Sequence, residues 1–128
     1  MGRTIVVIGG GPAAVEAAVA AGQAGASVTL VSDGPIGGRA GWDSLVPSKV
    51  WLAAADLLGE LHAAEALGLA PLPPARVAPQ AVLARIRAVA QSWSDQALQR
   101  LSAAGVTRIS GVDRKSTRLN SSHSLISR

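Results

Sequence analysis

The sequence predicts an α/β fold in which a parallel sheet is layered between helices, and three features predict it. The run Thr4-Ile5-Val6-Val7-Ile8 is continuous and β-branched, as a strand buried on both faces of a parallel sheet requires. It leads at once into Gly9-Gly10-Gly11-Pro12-Ala13-Ala14, a glycine turn that opens a helix. A second apolar run, Ser27 to Val31, follows at the distance that a strand–helix–strand unit spans.

Each element has its own warrant. The first helix, Pro12 to Ala24, carries small residues at Ala13, Ala14, Ala17, Ala18 and Ala21, which suits close packing on a sheet, and Gly25 stops it. The second strand ends at Ser32-Asp33-Gly34. From Lys49 to about Leu67, Leu52, Leu57, Leu58, Leu61 and Leu67 recur at helical spacing, and Gly68 ends the pattern. Pro47 suits the first turn of this helix, with Ser44 or Val46 before it near the cap. Pro71, Pro73 and Pro74 form a rigid connector. A further helix, Gln80 to Ala104, aligns Leu83, Ile86, Ala90, Trp93, Ala97 and Leu101 on one face, with Gly105 as its C-terminal cap. Val106 to Ser110 is predicted to be the third strand, beside the second in a 3-2-1 order. Trp51 and Trp93 are expected in the core, Trp42 in packing or against a ligand, and His62 partly buried without partners.

Composition narrows the function classes. The 128 residues are enough for one domain, and with no cysteine there is no disulfide, thiolate metal site or cysteine nucleophile. Two histidines, His62 and His123, are too few for a histidine metal cluster. No apolar run reaches the length of a membrane span, and the apolar start is too short for a signal peptide, so a cytoplasmic protein is expected. The net charge of +4 suggests an anionic partner until it is located: 8 Lys/Arg oppose 7 Asp/Glu up to Val112, and 4 oppose 1 beyond it. No nucleic-acid surface is therefore expected in residues 1–112.

Residues 113–128, DRKSTRLNSSHSLISR, differ from the rest. They hold the only asparagine, Asn120, and five of the thirteen serines, and no helical or strand period runs through them. Asp113–His123 resembles the translation of a common short-read sequencing adapter, and Ser127-Arg128 fits its continuation. The domain reading is therefore 1–112 as a nucleotide-binding segment and 113–128 as a non-native or disordered tail. The alternative is a natural basic tail that binds nucleic acid or an acidic lipid surface.

The chemistry of the first turn follows from its backbone. Gly9 permits the tight exit from the strand, Gly11 lets the main chain approach a pyrophosphate, and Ala14 lets the helix pack closely. Pro12, Ala13 and Ala14 open the helix, whose free N–H groups and positive dipole end face the phosphates. In this Rossmann-like arrangement an acidic residue ordinarily ends the second strand and binds the ribose. Here Ser32 occupies that place and Asp33 comes one position later, so either is a candidate for the ribose contact.

The next motif separates one dinucleotide from another. The stretch Ile36-Gly37-Gly38-Arg39-Ala40-Gly41-Trp42-Asp43-Ser44-Leu45-Val46-Pro47-Ser48-Lys49 resembles the active-site segment of the pyridine-nucleotide disulfide oxidoreductases, among them dihydrolipoamide dehydrogenase and mercuric reductase. Gly37-Gly38 and Pro47-Ser48-Lys49 match that pattern in identity and spacing, and Ala40 and Leu45 stand where its two redox cysteines belong. The resemblance spans residues 3–112. It implies the truncated FAD-binding part of a three-layer fold, with Gly37, Gly38 and Arg39 along the cofactor and Lys49 tuning the flavin. Gly111 fits the first glycine of a later cofactor-seating motif, whose second position is Asp113.

Loss of both cysteines removes the dithiol relay, since neither Ala40 nor Leu45 supplies a thiolate. Hydride transfer from NAD(P)H to flavin needs no cysteine. The resemblance thus implies an FAD- and NAD(P)H-dependent oxidoreductase, homodimeric when complete, that passes electrons to a non-disulfide acceptor such as a quinone. The 128-residue chain alone is expected to be inactive and to hold FAD poorly. Two other readings stand beside this one: an NAD(P)-binding module without flavin, and a non-catalytic remnant of the fold kept for partner binding.

Overall fold

The computed structural model describes residues 2–70 and 73–111; the tail, with the reading given for it, and Pro71 of the connector lie outside them. Strand β1 (Thr4–Ile8) is followed by helix α1 (Pro12–Gln23), strand β2 (Ser27–Ser32), a short helix α2 (Gly38–Trp42) and helix α3 (Leu45–Ala63). A single 3-10 turn (Ala64–Leu67), helix α4 (Pro79–Ala103) and strand β3 (Thr107–Ser110) complete it. The order β1-β2-β3 puts β2 in the centre, paired parallel on both sides, as the 3-2-1 expectation requires. Register sets Ile5 opposite Val28 and Val7 opposite Leu30, then Val31 opposite Ile109.

Because side chains alternate along a strand, this register gathers Ile5, Val7, Val28 and Leu30 on one face. Onto them pack Val15, Ala18 and Val19 of α1 together with Leu101 of α4 and Val106, and Ile36 closes the end of this core. Leu30 and Leu101 are essentially inaccessible. Removing either to alanine would open a cavity costing about 2–5 kcal/mol.

The other face of the sheet departs from expectation. Val6 is 60% exposed and Ile8 69%, so β1 is covered on one side only and alternates rather than being buried throughout. Both α1 and α4 serve the face already described, and among the described residues no helix covers the opposite one. The α/β class holds, and of its three layers the sheet and one helical layer are formed here.

Helix boundaries fall within a few residues of the sequence reading, with one instructive difference. Helix α3 begins at Leu45, ahead of the leucine pattern that starts at Lys49, with Ser44, one of the two expected cap positions, as its N-terminal flank and Pro47 in the first turn as expected, where its missing N–H costs nothing. No residue of α3 is fully buried: Leu52, Leu57 and Leu61 remain exposed. Trp51, expected in the core, is 41% exposed, because it lies on a helix whose packing partner among the described residues is chiefly α4. His62 is exposed rather than partly buried.

Two contacts fasten α4 to α1. At Gly22 the helix backbone runs against the carbonyl of Ala104, leaving no room for a Cβ. Nearby, the Arg100 guanidinium donates in fork geometry to both carboxylate oxygens of Glu16, at 2.5 and 2.6 Å. Hydrogen bonding from Arg100, reinforced by its charge, lowers the Glu16 pKa below the ordinary carboxylate value.

A Gly22→Ala chain should gain about 1 kcal/mol of helix propensity yet lose stability overall, by about 1–3 kcal/mol, since the obstruction is backbone. Urea denaturation of parent and variant measures this. For Glu16 the folded-state pKa lies below the unfolded one. Its stabilising contribution is therefore present above the unfolded carboxylate pKa and is lost as pH falls through the lowered folded value. Thermal unfolding of parent and Glu16→Gln from neutral pH downward should show the two melting temperatures converging in the acid range.

Candidate dinucleotide site

The site is assembled where the carboxyl ends of β1 and β2 meet the start of α1. Beyond Ile8 the backbone turns at Gly9, which has φ +121°, a value that strains any residue with a Cβ. Its N–H donates to the Val31 carbonyl at 2.7 Å, tying the turn to the end of β2. Gly11 then flanks α1 in an extended conformation and Pro12 takes the first helical position. No side chain caps this end, so the N–H groups of Ala13 and Ala14 have no acceptor within the helix and face outward as donors. A partial positive charge from the helix dipole adds to them.

A second glycine turn lies directly on the first. The Gly37 N–H donates to the Gly10 carbonyl at 2.8 Å. Gly38 sits at φ +52°, and a Cβ there would stand 2.9 Å from the Gly11 Cα and 3.0 Å from its nitrogen. Gly10 is less tightly confined, its Cβ coming within 3.3 Å of the Ser32 hydroxyl and the Pro35 carbonyl oxygen. Gly11 differs from these: a Cβ there would meet nothing within 4 Å. The protein makes no steric demand for glycine at position 11, and the open space lies beside the uncapped helix end.

Next to this double turn is a cavity of about 200 Å³ lined by Gly10, Asp33, Gly34, Pro35, Gly38, Arg39, Trp42 and Asp43. Asp33 therefore faces it, together with one cation, Arg39. Ser32 is not in that lining; its hydroxyl donates locally to the Gly34 carbonyl at 2.8 Å. Gly111 lies at the rim of the sheet, where its N–H donates to the Ser32 carbonyl at 3.1 Å, continuing the β2–β3 pairing past Ser110.

The two positions expected to bear cysteine are half-buried Ala40, within α2, and exposed Leu45, at the first turn of α3. Lys49 is exposed one turn further on. It lines a different space, an apolar groove of about 880 Å³ between α3 and α4 that it shares with Leu45, Val46, Arg76, Arg85 and Trp93. The structure thus gathers Gly10, Gly38, Asp33 and Arg39 around one cavity and sets Lys49 on a neighbouring one.

Helix α2 and the place of Asp43 in the cavity lining escaped sequence reasoning, whereas Trp42, expected in packing or against a ligand, packs on Gly37 and lines the cavity. The only cue was a run of small residues, Gly37 to Gly41 interrupted by Arg39, ahead of an aromatic. Among the described residues no group of histidine and acidic side chains is arranged to hold a metal ion, and no helix is long and apolar enough to cross a membrane.

A parallel α/β sheet, a glycine turn at a helix start and a second glycine turn seated on it define a Rossmann-type α/β segment. Comparison with known proteins assigns it further: the chain belongs to the pyridine nucleotide-disulphide oxidoreductase family, whose model matches residues 3–124. It is 35% identical over 111 residues to an NAD(P)H dehydrogenase (quinone) of Mycobacterium tuberculosis, covering 84% of this chain and 22% of that protein. It is also 38% identical over 66 residues to the dihydrolipoyl dehydrogenase of Bacillus subtilis, covering 52% of this chain and 14% of that protein. Among solved structures, LpdA of M. tuberculosis superposes with a TM-score of 0.75 at 32% identity, over 87% of this chain and 24% of that one. The flavoprotein disulfide reductase RclA of Escherichia coli, at 19% identity and a TM-score of 0.56, shares the fold. The chain thus spans about a quarter or less of the length of these relatives.

Contact between the two glycine turns makes a direct prediction. Gly38→Ala combines an unfavourable φ with a collision against backbone and should cost about 1–3 kcal/mol. Gly34→Ala, where a Cβ meets nothing, should stay within about 0.5 kcal/mol of the parent. Chemical denaturation of both variants checks the contrast.

Proposed function

We propose that this chain is the FAD-binding part of an NAD(P)H-dependent oxidoreductase that delivers electrons to a quinone-like acceptor without a dithiol. The observation that carries the proposal is the unused space at Gly11. A glycine required by neither conformation nor packing, beside two unpaired helix-start N–H groups, suits a pyrophosphate that must approach the main chain. The residues fit a dinucleotide on that ground. Gly9, Gly11, Pro12, Ala13 and Ala14 would form the phosphate cradle, and Gly37, Gly38 and Arg39 its second wall. Asp33 is the better placed of the two ribose candidates, since the Ser32 hydroxyl is engaged with Gly34. Gly111 would close the cofactor's far side at the β2–β3 end.

Bound flavin would supply the two-electron chemistry. Lys49, at the start of α3 just past the loop, would set a positive charge near the ring and favour its reduced, anionic form. The absence of cysteine at positions 40 and 45 directs electrons away from disulfides. The similarity to a quinone-reducing NAD(P)H dehydrogenase supports a quinone as the acceptor. In the longer protein, NAD(P)H binding and dimer formation would fall to regions beyond this segment.

Titration of the 128-residue chain with FAD tests the site. Weak binding is expected, and Gly11→Ala should reduce it about tenfold or more while leaving the unfolding free energy within about 0.5 kcal/mol of the parent. Equal FAD affinity in parent and variant would remove the phosphate role of Gly11. Binding of NADH in preference to FAD would favour a nicotinamide-nucleotide module without flavin.

A further inference from the structure

No cysteine exists to tie the loop between β2 and α3 covalently, and its chain folds back on itself through two tryptophans. The Trp42 indole N–H donates to the Ile36 carbonyl at 3.0 Å, closing the loop onto the residue that enters it. The same ring edge lies against Gly37, where a Cβ would stand 3.3 Å from Nε1 and 3.5 Å from Cδ1. One residue earlier, buried Gly41 meets the Trp93 ring of α4, with a Cβ there only 3.0 Å from Cε3 and 3.1 Å from Cζ3. The Gly41 N–H in turn donates to the Gly37 carbonyl at 3.0 Å. Contact therefore runs unbroken from Trp93 through Gly41 and Trp42 to Gly37, and from Gly37 through its 2.8 Å hydrogen bond to Gly10.

We propose that Trp42 and Trp93 form a clasp that holds the Gly37–Gly38 turn against the Gly9–Gly11 turn, which makes Trp42 a positioning residue of the dinucleotide site. That last role rests on the site reading above; the clasp itself rests on the contacts. Three observations favour a dedicated device over ordinary packing. The indole N–H is spent within the loop, so the ring's orientation is fixed independently of any ligand. Glycine stands at two places where a tryptophan ring lies flush against the loop, positions 37 and 41. The ring of Trp42 also lines the small cavity with Gly10, Gly38 and Arg39, so its placement shapes the space a ligand would use. A loop with no crosslink thus gains rigidity from flat side chains pressed onto bare backbone.

Amide spectra of the isotope-labelled 128-residue chain test the clasp without any ligand. Trp93→Leu, a change on α4, should shift the amide signals of Gly37, Gly38 and Gly10, whereas Val89→Ala on the same helix should leave them in place. Trp42→Phe keeps an aromatic side chain on the loop and removes the indole N–H together with the ring edge that meets Gly37; it should move the same glycine signals even if Trp93→Leu fails to fold. Unmoved glycine signals in Trp42→Phe, or equal movement in Val89→Ala, would overturn the clasp. FAD affinity supplies the second readout: about fivefold weaker binding is expected for Trp42→Phe, the equivalent of one ordinary hydrogen bond. Unchanged affinity would remove Trp42's positioning role. A parent chain that binds no dinucleotide would sink the site reading, and the spectra would still decide the clasp.

Discussion

The contact on which the rest depends is backbone against backbone, where Gly38 rests on Gly11 and the Gly37 N–H reaches the Gly10 carbonyl. Two turns distant in sequence become one surface only because neither carries a side chain at the point of approach. Helix α1 then projects its uncapped end into the space beside them, and β2 holds the arrangement by accepting the Gly9 N–H at Val31. The small cavity lies beside that junction, with Gly10, Gly38 and exposed Asp33 in its lining.

Much of this was legible in the residue string. The β-branched run Thr4–Ile8, the glycine turn and the second strand identify a strand–helix–strand unit, because backbone geometry restricts which residues can stand there. The pairing of Gly37-Gly38 with Pro47-Ser48-Lys49 pointed to the family that the comparisons assign. Periodicity found α3 and α4; the leucine pattern of α3 starts at Lys49, inside the helix, while Pro47 with Ser44 before it marked the first turn that the structure shows.

What the string concealed depends on contacts across the fold. Alternation in β1 was invisible, because Val6 and Ile8 are as apolar as Ile5 and Val7, and only the packing of α1 and α4 on one face of the sheet separates them. Trp51 read as core for a similar reason: helical spacing identifies a face and not what covers it. Gly41 gave no sign of its partner, since the Trp93 ring that meets it lies more than fifty residues away. Nor could the order of Ser32 and Asp33 say which of them lines the cavity; the structure puts Asp33 there and bonds the Ser32 hydroxyl to the Gly34 carbonyl.

The bare side of the sheet has a consequence for how such a chain behaves in water. Val6, Ile8 and Ile109 offer solvent an apolar strip laid across all but the central strand, and the outer leucines of α3 add a second one. Each square ångström of such surface is worth roughly 25 cal/mol to whatever shields it. Expressed alone, the segment is a half-finished interior with a premium on company, and crowding at high concentration would push copies together through these strips before any specific recognition comes into play.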